Sequence, residues 1–221
     1  MSRLTPFALA LAVAVLPSGP ALAGPERVPG LGRLSSTGIL LLPVRVHVHE
    51  VAPGGVTILK APWTEAARDH VHAALDRRLG GSRPPIVRYQ APTDPERHDR
   101  HAEVIRIHGL VQTTIIAHYQ GPGSSLPTKD RLAWSLGPGV SVLHPPGATT
   151  THAMFVELIE RRLSRHFVTI GGLANEFTGT ASIVDLATGD VLWFNHERSG
   201  GLSTAAETQA TVQRLLRDLP F

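Results

Sequence analysis

The sequence predicts an α/β fold, a single-domain mixed-sheet sandwich with helices packed on the sheet and a helix at the C-terminal end. Three observations predict it. Thr178 to His196, TGTASIVDLATGDVLWFNH, is two runs rich in β-branched and aromatic residues joined by a tight turn. Segments with helical spacing of apolar residues alternate with strand-like segments, so hairpins and crossovers share one sheet. A D-x-x-T-G-x-x-x-W string of the quinone-cofactor propeller-blade type, Asp185 to Trp193, occurs only once. A propeller needs it several times at a fixed period.

Ile39 to Val51 (ILLLPVRVHVHEV) is apolar at every residue at first, then alternates Val44, Val46 and Val48 against Arg45, His47 and His49. That pattern is a strand passing from a buried zone to a half-exposed one, and Pro43 predicts a bulge or an edge within it. Ala52 to Gly55 is a turn, with a return strand over Val56 to Leu59. Thr64 is the expected cap of a helix reaching Leu79, with Ala67, Val71, Ala74, Leu75 and Leu79 on one face and Gly80-Gly81 as its stop. Pro85 to Tyr89 is a short strand. A polar link over Thr93 to Arg100 precedes a second helix, about Ala102 to His118, with Val104, Ile107, Val111 and Ile115 as its stripe. Gly/Pro-bearing loops (Gly121 to Pro127, Gly137 to Gly147) bracket a short piece around Trp134.

His152 to Leu158 is another strand, and Glu160 to Asn175 fits either a short helix or a loop. In the hairpin that follows, Gly189 after Thr188 takes the left-handed position that a type I turn plus bulge requires, and on the return strand Val191 and Trp193 alternate with Leu192 and Phe194, so both faces carry apolar residues. Asp185 and Asp190 beside this turn are read as acceptors of backbone N–H groups or as solvated, rather than as an acid/base couple. Thr204 with Glu207 makes a capping box for the last helix, whose stripe is Val212, Leu215, Leu216 and Leu219.

The chain opens with Arg3, an apolar run from Phe7 to Leu16, and Ala21-Leu22-Ala23 before Gly24, the pattern of a cleaved secretory signal with Ala21, Ala23 and Gly24 at the cleavage site. The run falls short of the about 20 apolar residues that span a bilayer. The expected organisation is therefore a signal peptide over 1–23, a flexible arm over 24–37 and one α/β domain over 38–221, in a periplasmic or secreted protein with no lipobox cysteine. There is no cysteine at all, which removes disulfides, thiolate nucleophiles and Cys-zinc sites together. Loss of Arg3 lowers the formal charge of +3 by one unit, and nearly all basic residues are arginine, so nucleic acid is not an expected partner.

Twelve histidines invite a metal reading. His47 and His49 lie about 7 Å apart on one strand face, a spacing that chelates an ion only if a third ligand arrives from elsewhere. His98 and His101 share a charged helix start, while His70 and His72 diverge by about 200° on theirs. His49-Glu50 and His196-Glu197 lack the second histidine of HExxH. Gly121 to Ser125 is not a nucleophile elbow, and Lys129 does not follow a phosphate loop. Arg161, Arg162, Arg165 and His166 form the densest basic patch, for which a solvated surface is the plain reading.

The strings LLLPVRVHVHEVAPGG and APWTEAARDHVHAAL, LPTK and AWSLGPGV, and ASIVDLATGDVLWFN resemble a family of uncharacterised proteobacterial envelope proteins, many of them lipoproteins. More distantly, the order of elements is similar to the periplasmic domain of the curli secretion lipoprotein and to the amino-terminal domain of the TolB protein. The resemblance implies an α/β sandwich used for assembly or protein contacts, with no catalytic residues to carry over. The resulting expectation is a non-catalytic envelope protein that binds another envelope protein, with no cofactor, no metal ligand assigned and no transmembrane segment. The alternative is a histidine-dependent periplasmic metal-binding protein.

Overall fold

The structure, a computed structural model, describes residues 26–28, 34, 38–120, 132–144, 147, 149–164 and 175–220. Within them one mixed sheet holds β1 (Glu26–Arg27), β2 (Ile39–Leu41), β3 (Arg45–Val51), β4 (Thr57–Leu59), β5 (Ile86–Arg88), β6 (His152–Leu163), β7 (Glu176–Asp185) and β8 (Val191–Glu197). Three α-helices, α1 (Ala61–Leu79), α2 (Pro95–Gln120) and α3 (Ala205–Leu215), and a 3₁₀ helix over Pro138–Leu143 complete the described elements. The mixed α/β architecture and the C-terminal helix agree with the fold class read from the sequence.

β6 is the axis of the sheet. One side pairs antiparallel with β7, which continues to β8 and β1. The other side is shared, its first residues pairing parallel with β2 and its later ones parallel with β3. Beyond these, β5 adds to β2 in parallel and β4 to β3 antiparallel. Between Ile39 and Arg45 the chain advances six residues while its partner advances five, from His152 to Glu157, so one extra residue is bulged out around Pro43. The bulge inverts the alternation. Ile39 and Leu41 before it, and Val46 and Val48 after it, therefore face the same core.

That core lies under α1 and α3, where Val71, Leu75, Val212 and Leu215 meet Met154, Leu158, Ile183 and Trp193. Fully burying side chains of this size is worth about 1.5–3 kcal/mol each. The opposite core lies under α2 and the 3₁₀ helix, joining Leu40, Leu42, Phe155, Val184 and Phe194 to Val104, Ile115, Val140 and Leu143.

Several boundaries differ from those read in the sequence. α1 begins at Ala61, not at Thr64, because Pro62 suits the first turn. Thr64 is buried instead, its Oγ1 accepting from the Val48 N–H at 3.1 Å. α2 begins at Pro95, inside the expected polar link: Asp94 Oδ2 accepts the Arg97 N–H at 2.8 Å, which caps the helix two turns earlier than the apolar stripe suggests. Part of the expected loop over Gly137 to Gly147 is the 3₁₀ helix, and Glu160 to Leu163 extend β6. The arm over 24–37 is tied at two described points, by β1 on β8 and by Leu34 N–H to Pro220 O at 2.7 Å. The cap of α3 forms half of the expected box: Thr204 Oγ1 accepts from Glu207 N–H at 3.2 Å, while the Glu207 carboxylate accepts from Ser203 N–H at 3.3 Å, one residue before the cap.

Candidate functional site

The residues singled out in the sequence scatter over the molecule. Ala21, Ala23 and Gly24 lie outside the described residues, as do Gly121 to Ser125, Lys129, Arg165 and His166. Gly189 has φ +82°, and the turn around it is closed by Asp185 N–H to Asp190 O at 2.9 Å. Asp185 Oδ1 accepts from Ala187 N–H at 2.7 Å and Thr188 N–H at 3.0 Å, the backbone role expected of an acid at that place. Trp193 is fully buried under α1 and α3. The basic patch is split by strand alternation. Arg161 reaches Glu176 at 3.4 Å, whereas Arg162, on the other face, reaches Glu160 at 2.9 Å and lies over the Trp63 ring.

His47 and His49 do share a face, their ring centroids 6.1 Å apart. Burial holds the His49 imidazole below its ordinary pKa, with the His47 and Arg161 charges acting in the same direction. Among the described residues, no third His, Cys, Asp or Glu joins them in an arrangement that could hold a metal ion. His98 and His101 part company, His98 exposed and His101 buried.

What the sequence did not disclose is a polar seam beneath α2. His101, His108, Gln112 and His118 are all buried on its inner side. His108 stacks on Phe155 with centroids 3.8 Å apart, and its Nε2 lies 2.7 Å from Ser182 Oγ. Burial, reinforced by the Arg45 charge, lowers its pKa to about 3. Gln112 Nε2 donates to Glu157 Oε2 at 2.6 Å, and Arg45 pairs with Glu157 at 2.7 Å. A serine and a histidine in contact suggest a nucleophile and its base. Yet Ser182 is buried in a central strand, and the void beside His108 has a volume of about 10 Å³, room for no substrate. The pair therefore acts as a buried hydrogen bond between helix and sheet. The available signal was His108 within the stripe Val104, Val111, Ile115 and Ser182 within an otherwise apolar run, 74 residues apart.

A cluster of exposed apolar side chains lies at the β4 edge. Val56, Ile58 and Leu59 are 58%, 44% and 52% exposed, and Trp63 in the first turn of α1 is 37% exposed. Among the described residues β4 pairs only with β3, so its outer edge is open. Ala52 N–H bonds Val56 O at 2.8 Å and Lys60 N–H bonds Val48 O at 2.9 Å. Antiparallel pairing alternates, so Ile58 directs its backbone to β3 while Thr57 and Leu59 direct theirs outward. The Trp63 indole is fixed beside this edge between two cations, Lys60 Nζ at 5.6 Å and the Arg162 guanidinium at 5.2 Å from the ring centroid.

With this geometry in hand, comparison with known proteins adds little. No family model and no curated protein matches the chain. Two solved structures of the PelC dodecamer from Paraburkholderia phytofirmans are similar to it. One has 11% identity, covering 87% of this chain and 91% of that chain; the other, a point variant, has 9% identity, covering 87% and 95%. Both have a TM-score of 0.37, a likeness too slight to transfer any property. No helix among the described residues is long and apolar enough to cross a membrane.

Proposed function

We propose that the chain is a non-catalytic protein of the bacterial cell envelope, periplasmic or secreted, that acts by binding another envelope protein, and that the β4 edge beside Trp63 is the contact. The observation that carries this reading is the open edge itself. Outward N–H and C=O groups at Thr57 and Leu59 offer hydrogen bonds to an incoming strand, and the exposed side chains of Val56, Ile58 and Leu59 offer apolar surface to it. Trp63, already immobilised by its two cations, is the type of residue that anchors such contacts. The address rests on the signal pattern over 1–23. The confinement of Ser182 supports a role without turnover.

The test is a cross-linked pull-down from intact envelopes with the tagged mature protein and its Thr57→Pro variant, each with and without chelator. Proline at 57 removes a donor that points away from β3, so the hairpin keeps its own bonds while an added strand loses one. The expected result is a stoichiometric partner that survives chelator and is largely lost with Thr57→Pro at an unchanged melting temperature. Equal capture by both proteins, or a partner released by chelator, would overturn the proposal, the latter in favour of metal binding.

A further inference from the structure

We infer that the cleft between the end of β5 and the start of α2 binds a small organic acid, a carboxylate carried on an apolar body. The cleft has a volume of about 480 Å³, within the roughly 300–1,000 Å³ usual for small-ligand sites. Its apolar wall is made by Val87, Ala91, Pro92 and Leu143. Its polar side is made by Tyr89, Arg97 and His101.

The hydrogen bonding of that polar side determines which group is left for a ligand. His101 Nε2 lies 2.8 Å from Val142 O, a pure acceptor, so Nε2 carries the proton and Nδ1 of the neutral ring accepts. Burial holds His101 below its ordinary pKa, keeping it neutral. The Tyr89 hydroxyl, 2.8 Å from Nδ1, must therefore give its own proton to His101. Neither ring has a donor to spare; Gln90 and Thr93 line the cleft as neutral polar side chains, and the cation left for a ligand is Arg97. Among the described residues its guanidinium makes one hydrogen bond, Nη2 to His144 O at 2.8 Å, out of the five donors it carries. It forms no ion pair among the described residues. Two other charges border the cleft: Arg88 is paired with Asp76, and Asp94 caps α2 through the Arg97 N–H. The charge of Arg97 reaches into the site, where it works against the burial that raises the Tyr89 phenol pKa. A half-buried cation in no ion pair among the described residues, facing an apolar wall, is complementary to one carboxylate with a hydrocarbon or aromatic body. This site lies on β5 and α2 and does not depend on the β4 edge.

Calorimetric titration of the mature protein with octanoate, octanol and octylammonium, all below micelle formation, tests the inference. Octanoate should bind saturably at one site and octylammonium should not bind. Arg97→Gln should weaken octanoate by about tenfold or more. Because Arg97 also holds His144 O, Ala91→Trp, which fills the cleft and leaves Arg97 in place, should abolish the same signal at an unchanged melting temperature. Octanol or octylammonium binding as tightly as octanoate, octanoate binding that ignores both variants, or no saturable binding of octanoate up to about 10 mM would each overturn the assignment.

Discussion

His108 shows how one residue ties stability to pH. It is buried against Phe155 and bonded to Ser182, and its pKa is lowered from 6.5 to about 3. In the unfolded chain the imidazole takes up a proton below about pH 6.5; in the folded chain it stays neutral down to about pH 3. The unfolded state therefore binds more protons across that window, so stability is complete above pH 6.5 and declines as pH falls, by up to about 1.4 kcal/mol per pH unit. Removing His108 alone would strand the Ser182 hydroxyl at a cost of about 1–3 kcal/mol, so the informative variant is His108→Leu with Ser182→Ala. Urea unfolding at pH 7 and pH 5 should show a smaller loss of stability in the double variant than in wild type, and equal losses would refute the assignment. Gly189 offers a second residue-scale prediction. At φ +82°, a Cβ there would lie 2.2 Å from Gly137 O, so Gly189→Ala combines a strained backbone with a backbone clash. Its melting temperature should fall well below that of Gly139→Ala, where a Cβ meets nothing within 4 Å; equal values would contradict the packing of Gly137 on the turn.

At the scale of the element, the bulge at Pro43 carries more consequence than any single side chain. It is what allows Ile39, Leu41, Val46 and Val48 to enter the same core despite their mixed parity. Deleting Pro43 would restore simple alternation and turn Val46 and Val48 away from α1, exchanging them with Arg45, His47 and His49. The deletion should yield no cooperative unfolding transition, whereas Pro43→Ala, which keeps the residue count, should melt within a few degrees of wild type. A folded deletion variant would show that the register is not fixed by the bulge. This irregularity was legible in the sequence because proline interrupts a strand pattern for a local reason. The hairpin of β7 and β8 and the cap of α3 were legible for the same kind of reason, since turn and cap chemistry depend on residues close in the chain. The start of α2 was only partly legible: Glu96 to Glu103 reads as a charged helix start, yet the same residues read as a polar link until Asp94 is seen capping them. The seam beneath α2 and the Arg97 cleft were not legible, since His108 and Ser182, or Arg97 and His144, meet only through the tertiary fold.

The two faces of the whole molecule are held by different forces, and this predicts the order in which it comes apart. Beneath α1 and α3 a large apolar core is joined by buried polar contacts: Glu160 accepts from Leu202 N–H at 3.1 Å and pairs with Arg162, Glu197 pairs with Arg214 of α3 at 3.7 Å, and Asn195 Nδ2 ties the end of α3 to the sheet through Leu215 O at 2.8 Å. Beneath α2 the buried apolar contacts are fewer, and the seam of His101, His108 and Gln112 depends on neutral imidazoles and on the Arg45–Glu157 pair. Acid acts on the second face. Protonating His101 removes the acceptor for Tyr89, and protonating His108 places a charge beside Phe155 and within the field of Arg45. Burial also lowers the pKa of His196, cross-strand from Thr180, to about 4, with the Arg198 charge assisting. Glu26 acts the other way: burial raises its pKa, opposed by the charge of His118 on α2, so the folded state holds that proton more tightly as pH falls. The imidazoles on this face bind protons in the opened state at a pH where the folded state keeps them neutral, so falling pH favours the opening of α2. Amide hydrogen exchange should therefore show α2 opening as a unit at about pH 4 while α1, α3 and β6 keep their protection, with both helical layers protected at pH 7. Simultaneous loss across all three helices at acid pH would mean that the two cores are one cooperative unit and that the seam carries no separate share of the stability.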